Sequence, residues 1–309
     1  MFWGEIKRCE SNGRDVTMML KWLYAIRVKF LLASVIGVIN GLSIAVWKYK
    51  ELDFLYAFLT FVGVICLHAS IDLFNDYWDY KRGIDTLTTR TAFSGGSGVL
   101  PRNLLKPNAI YAAAIILLLV GSVIGFYFVL VRGVVIVILL GFAVFSIYFY
   151  SNKIVNIGLG EVFVAIKGSM IVLGALYVQA SSIDPLGYYI GGIIGILSAS
   201  VLFINSFPDY DADRSKGRRT LVILIGKQRS ATIFPVILIC TYFLIVIGIF
   251  LGYIKVYSLL CLLSAPFAIK GSIQLKKYYD QPDKLVPAMG SIVAYSRLTG
   301  VLLACSLLL

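Results

Sequence analysis

Polar residues fall in short intervals along this chain, and the apolar stretches between them have the length of a bilayer crossing. Roughly 17–25 apolar residues span the hydrocarbon core as a helix. Nine such stretches lie at 23–46, 53–75, 108–131, 133–150, 158–181, 187–207, 231–254, 256–272 and 288–309. The fourth and eighth have very short connections to their neighbours. The pattern predicts an all-α integral membrane protein of nine transmembrane helices. No long polar block interrupts the series, so residues 1–309 read as a single domain.

Composition agrees with that pattern. Hydrophobic residues make up 59% of the 309 and charged ones only 14%, more apolar surface than a soluble domain can hide. The five cysteines (Cys9, Cys66, Cys240, Cys261, Cys305) are scattered, form no CxxC, and read as small buried hydrophobes. The N-terminal residues carry mixed charge and no apolar core with a cleavage site, so no cleavable signal peptide is expected.

The net charge of +12 raises the question of a nucleic-acid partner, and its distribution answers it. Of the 28 Lys and Arg residues, 20 lie in the N-terminal segment and the connections after spans two, four, six and eight. Four lie in the intervening connections: Lys48, Lys50, Arg132 and Lys255. This alternation is the positive-inside pattern of a protein in a lipid bilayer, with the N-terminus cytoplasmic and the C-terminus outside. No nucleic acid and no obligatory protein partner is implied.

The chemistry is concentrated in acids at membrane depth, which are costly there and mark functional sites. Asp72, Asp76 and Asp79 recur at i, i+4 and i+7, within about 60° of arc on one helical face. A second cluster, Asp209, Asp211 and Asp213, follows span six; Asp211 lies off the Asp209/Asp213 stripe and reads as solvated. Spans two and six are four crossings apart, so both clusters emerge on the same, cytoplasmic side and can face each other across a cavity. Carboxylates from two opposed helix ends suit Mg²⁺, which takes one or two carboxylates and fills its shell with water and phosphate oxygens. Gly83 allows a sharp turn that returns Asp85 towards the site.

Cations beside these acids, Lys81, Arg82, Lys153, Arg218 and Arg219, are candidates to stabilise a departing diphosphate. Taken singly, each reads first as a solvated interfacial cation; Lys153 is the exception, as the lone cation of its short loop. His68 lies one turn before Asp72 and reads as its hydrogen-bond partner, or as a substrate contact or proton acceptor. Glu161 is placed to pair with Lys167, and Asp184, Asp280 and Asp283 read as loop acids. A cation-coupled transporter also uses intramembrane acids, but it usually binds near the midplane, whereas these clusters share one side under a basic cap.

Asn75-Asp-Tyr-Trp-Asp79-Tyr-Lys-Arg-Gly83-Ile-Asp85 matches the first motif of the UbiA superfamily of intramembrane prenyltransferases, NDxxDxxxGxD. Asn205 to Thr220 matches the second, NxxxDxxxDxxxGxxT, and Tyr148–Lys153 resembles the family's tyrosine/lysine segment. The run Asp85–Leu100 carries no Arg-Pro; with Gly158–Glu161 and Val172–Gln179 it is similar to the 1,4-dihydroxy-2-naphthoate prenyltransferases of menaquinone synthesis. Arg27-Val-Lys29 resembles that branch's Arg-Pro-Lys/Trp segment, with Val28 in place of proline. Pro208, Asp72 and Lys167 also depart from the residues the family often has there.

The resemblance implies nine helices ringing a central cavity under a cytoplasmic cap, and Mg²⁺-dependent transfer from an isoprenyl diphosphate to a small aromatic acceptor. It implies metal ligation by Asp76, Asp79, Asp209 and Asp213, with Asp72 and Asp85 assisting. Asn75, Asn205, His68, Lys81, Arg82, Lys153 and Arg219 are the expected substrate contacts, and Arg27 and Lys29 are candidates for an acceptor carboxylate. Tyr148 and Tyr150 would screen an allylic cation, with Lys153 at the leaving group. Other acceptors, 4-hydroxybenzoate or a prenylglyceryl phosphate, fit the same motifs.

Overall fold

The apolar stretches fold as helices whose ends are set by turn chemistry. The computed structural model describes residues 17–150, 153–182 and 184–309. The N-terminal cations Lys7, Arg8 and Arg14, together with Cys9, Ser151 and Asn152, lie outside the described residues. In chain order the helices are α1 (Met18–Ala25), α2 (Val28–Ile44, continued by a π-turn over Ala45–Tyr49), α3 (Phe54–Lys81) and α4 (Pro107–Arg132). Next come α5 (Val134–Phe149), α6 (Gly160–Ala180), α7 (Pro185–Asn205), α8 (Tyr210–Ser215) and α9 (Leu221–Ile225). The last are α10 (Lys227–Phe250), α11 (Ala265–Tyr278, preceded by 3₁₀ turns over Val256–Ser264) and α12 (Val286–Leu308).

Eight of these segments are long and apolar enough to cross a membrane. The ninth predicted span, α5, has 16 residues. At 1.5 Å per residue it reaches about 24 Å, short of a hydrocarbon core of about 30 Å. Two boundaries also differ from the hydrophobic pattern. The first stretch breaks at Arg27, whose backbone is left-handed (φ 46°, ψ 51°), so α1 and α2 are separate helices. The second runs six residues past its apolar end, because Asp76 and Asp79 are buried inside the protein and give the helix no reason to stop.

The ends are capped from the sequence. Asp53 accepts from the Tyr56 amide at 2.9 Å and starts α3. Asp184, expected as an ordinary loop acid, accepts from the Leu186 amide at 2.8 Å, starts α7, and pairs with Lys48 at 2.8 Å. Gly133, at φ 87°, makes the tight turn between α4 and α5.

The spans pack as a closed ring, α2–α3–α4–α5–α6–α7–α10–α11–α12, with α12 returning to α2. Across the ring α2 lies against α6 and α7, through small residues that let backbones approach. A Cβ on Gly41 would sit 2.5 Å from the Val172 carbonyl oxygen. The outer faces carry exposed Leu130, Phe243 and Ile273, as lipid contact requires. Of the described cysteines only Cys261 is buried; Cys240 and Cys305 are exposed and Cys66 is intermediate, so the reading of all as buried hydrophobes fails there. Residues 93–96 of the segment 82–106 meet Asp209, Asp213, Arg218 and Thr220 of the segment 206–226 around one cavity, and the two segments are called the cap below.

Candidate active site

The three acids of α3 share one stripe, as the spacing required, but meet different partners. Asp76 is 1% exposed. It accepts from the Ser97 amide at 3.1 Å, from the Ser97 hydroxyl, and from the Arg27 guanidinium at 2.5 Å. Arg27 reaches it from the left-handed residue between α1 and α2, a conformation that costs a non-glycine residue about 1 kcal/mol or more. Asp79, one turn on, accepts from Arg218. The same guanidinium reaches Asp213 at 3.1 Å and ties the two motifs together.

The cap loop completes the connection. Gly95 donates its amide to Asp209 at 3.2 Å. Gly95 and Gly96 have φ near +80° and +71°, and a Cβ on Gly96 would meet Asp85 Oδ1 at 2.8 Å. Only a glycine run lets the backbone lie on these carboxylates. Ser97 and Gly95 were not singled out from the sequence; the signal was present in Ser94-Gly-Gly-Ser-Gly98.

Beneath the cap is a cavity of about 240 Å³. Asp72, Asn75 and Asp79 of the first motif region and Asn205, Asp209 and Asp213 of the second form its polar wall. Arg27, His68, Tyr150, Lys167 and Arg218 line it as well. A second, almost wholly apolar chamber of about 150 Å³ lies among α2–α6. Ser34, His68, Ile71, Ser146, Lys167 and Ile171 are walls of both.

Not every expected residue reaches this wall. Asp76 and Asp85 are buried behind it. Tyr148 is 41% exposed and packs edge-on against Phe74. Lys153 is exposed with its ammonium over the Phe149 ring at 5.4 Å. Lys81 and Arg219 are exposed, and Arg82 reaches Asn156 at 3.4 Å. Lys29 lines a small side groove with Arg27 rather than the cavity. His68 bonds Ser34 at 2.7 Å through Nδ1, while its Nε2 stands 4.0 Å from Asp72, beyond hydrogen-bond range. Glu161 accepts from the Leu221 amide at 3.2 Å and does not pair with Lys167, which six residues of helix put on another face.

Burial raises the pKa values of the cap-side carboxylates. Asp209 is pushed up to about 8, first by desolvation and then by Asp213. Asp85 goes to about 8 by desolvation, reinforced by Asp76 and Asp79. Asp213 goes to about 6, desolvation outweighing the opposing pull of Arg218. Such carboxylates need added positive charge to ionise together.

Among the described residues no three Asp, Glu, His or Cys side chains close on one point. The donor set nevertheless fits Mg²⁺. Asp209 Oδ1, Asp85 Oδ2 and Asn205 Oδ1 are buried oxygens without a hydrogen-bond partner. Hard oxygen donors in this number suit an ion that completes its shell with water and phosphate.

The sequence profile described as the UbiA prenyltransferase family matches residues 34–292. A relative from Bacillus subtilis (strain 168), named 1,4-dihydroxy-2-naphthoate octaprenyltransferase, is 27% identical over 288 residues, 90% of this chain and 89% of its own. One of the same name from Escherichia coli (strain K12) is 26% identical, covering 96% and 97%. A solved UbiA homolog from Archaeoglobus fulgidus bound to DMAPP and Mg²⁺ superposes with a TM-score of 0.61 at 14% identity, covering 92% of this chain and 99% of that one. The cavity, its two acidic motifs and these likenesses agree: this chain is an integral membrane enzyme and belongs to the UbiA prenyltransferase family.

Proposed function

We propose that the chain transfers a prenyl group from an isoprenyl diphosphate to a small aromatic acceptor such as 1,4-dihydroxy-2-naphthoate, with Mg²⁺, on the cytoplasmic side of the membrane. The observation that carries this reading is the adjacency of two chambers that share a wall. A carboxylate-lined cavity of about 240 Å³ takes a diphosphate, and the apolar chamber beside it takes a hydrocarbon chain. The names of the relatives support the naphthoate acceptor, and the solved homolog supports Mg²⁺.

Asp79, Asp209 and Asp213, with Asn205, would hold Mg²⁺, and Asp76 and Asp85 stand behind them. Bound there, Mg²⁺ supplies positive charge to the diphosphate oxygens as the allylic C–O bond breaks. Arg218, between Asp79 and Asp213, contributes further charge to the leaving group. The Tyr150 ring faces the cavity and screens the allylic cation. The cap keeps water from that cation. A ring carbon of the acceptor then forms the new C–C bond and the ring proton leaves; the prenylated hydroquinone is recovered as its quinone after oxidation by air.

The test is incubation of the purified protein in detergent with Mg²⁺, geranylgeranyl diphosphate and 1,4-dihydroxy-2-naphthoate, followed by extraction and mass analysis. An EDTA-sensitive prenylated naphthoquinone is expected. Mg²⁺-dependent binding of the diphosphate without this product would reject the naphthoate acceptor and keep prenyl transfer to another.

A further inference from the structure

Lys167 sits two turns into α6, in the wall shared by the two chambers. A lysine at that depth is costly and needs a counter-charge. Among the described residues it makes no ion pair or hydrogen bond, and Asp72 is an acid lining the same cavity. Its neighbours are unsatisfied too. Asp72 Oδ2 and Ser146 Oγ are buried without partners, and His68 keeps Nε2 free of a hydrogen bond while Nδ1 is held by Ser34.

The other cations have occupants. Arg27 is engaged by Asp76, Arg218 by Asp79 and Asp213, and Arg297 donates to the Lys29 carbonyl. The junction therefore presents one strong donor, an unpaired carboxylate oxygen and a hydroxyl, grouped where hydrocarbon begins. Buried polar groups are normally satisfied, so a set left open at a cavity wall is complementary to a ligand. That ligand must bring an anion for Lys167 and a hydroxyl donor for Asp72, on an apolar body.

We propose that Lys167 determines acceptor specificity: its ammonium binds the carboxylate of a hydroxyaromatic acid whose ring hydroxyl donates to Asp72 Oδ2. This rests on the prenyltransfer reading above and moves the acceptor anchor from Arg27 and Lys29 to the membrane interior. Such a charge-assisted pair out of water discriminates strongly against an acceptor lacking the carboxylate.

Binding of 1-hydroxy-2-naphthoate and of 1-naphthol to the purified protein, read by ligand fluorescence, tests it without turnover. Wild type is expected to prefer the acid about tenfold or more. Lys167→Met should erase that preference and leave Mg²⁺-dependent diphosphate binding unchanged, which also reports that the variant is folded; Lys167→Arg should keep the preference. No preference in wild type, or one that survives Lys167→Met, overturns the proposal. The turnover assay decides the other question. Product formed by wild type, with a preference indifferent to Lys167, would keep the function and reject the anchor. A Lys167-dependent preference without product would keep the anchor and reject the naphthoate reaction.

Discussion

Arg27 and Asp76 stand 49 residues apart in the chain and 2.5 Å apart in the fold. One comes from a left-handed break between two helices, the other from a stripe of acids in a third. The pair is nearly removed from water, with Asp76 1% exposed and Arg27 21%. Its geometry explains why the first span cannot run straight from 23 to 46. A continuous helix would carry the Arg27 side chain away from α3.

Loss of one partner should therefore cost more than loss of both. Arg27→Ala strands a buried carboxylate, a cost of about 3 kcal/mol or more. The measurable result is a lower thermal midpoint in detergent. Arg27→Ala/Asp76→Asn should recover part of that loss, and a double variant as unstable as the sum of the singles would show that the pair is not coupled.

The second-motif acids make a sharper claim about chemistry. Asp209→Ala and Asp213→Ala should each lower turnover by about 10²-fold or more, the scale at which one electrostatic contributor to a transition state is lost. The variants should still insert and purify as wild type does. EDTA should abolish wild-type activity and excess Mg²⁺ restore it. A purified Asp213→Ala protein with normal turnover would remove this carboxylate from the site.

Proton linkage gives a test that needs no substrate. The raised values, about 8 for Asp209 and Asp85 and about 6 for Asp213, mean that these acids hold protons in the folded, metal-free state at pH values where the unfolded chain has lost them. The folded state then binds more protons than the unfolded one. Their stabilising contribution is full below about pH 4 and is lost as pH rises through about 6 and then 8. The thermal midpoint of metal-free protein should fall across that window. Mg²⁺ binding displaces the same protons, so its stabilising effect should grow with pH. A Mg²⁺ effect independent of pH between 6 and 8 would contradict these assignments.

Much of this was legible in the residues. Asp72, Asp76 and Asp79 announce a shared face by spacing alone, and the expected meeting of the two motifs is seen where Arg218 joins Asp79 to Asp213. What spacing cannot give is which cations turn inward. Arg218 and Arg219 are adjacent and chemically alike, yet the first bridges two carboxylates and the second is exposed. Lys153, alone in its loop, drew attention and lies over Phe149. Lys167, inside an apolar span, reads as a partner for Glu161 and instead opens on the cavity. Side-chain direction at a helix end depends on how neighbouring helices cross, and that is a tertiary quantity.

Those crossings depend on small residues, which allows a packing test with an internal control. A Cβ on Gly41 would lie 2.5 Å from the Val172 carbonyl and 2.7 Å from the Ala175 Cβ, whereas one on Gly192 would meet nothing within 4 Å. Gly41→Val should push α2 away from α6, cost about 1–3 kcal/mol in thermal stability, and disturb the cavity wall. Gly192→Ala should be neutral or slightly stabilising, since both helical propensity and space favour it. Equal effects of the two substitutions would show that the α2–α6 approach is not tight.

Arg218 separates metal binding from catalysis. Its guanidinium already neutralises Asp79 and Asp213 in the metal-free site, so it competes with a cation for the same oxygens while offering its remaining N–H groups to a diphosphate. Arg218→Gln removes the competitor and the leaving-group contact together, and the two losses act in opposite directions. The Mg²⁺ concentration giving half-maximal binding should fall, because two carboxylates are released from an internal salt bridge. Turnover at saturating Mg²⁺ should drop by about 10²-fold, because charge at the departing diphosphate is lost. Arg218→Lys retains a point charge without the planar fork that spans two carboxylates, so it should recover part of the turnover and little of the competition. Magnesium titration of diphosphate binding, set beside single-turnover rates, distinguishes these effects. Weaker Mg²⁺ binding in Arg218→Gln would mean that Arg218 positions the carboxylates for the ion rather than contending for them.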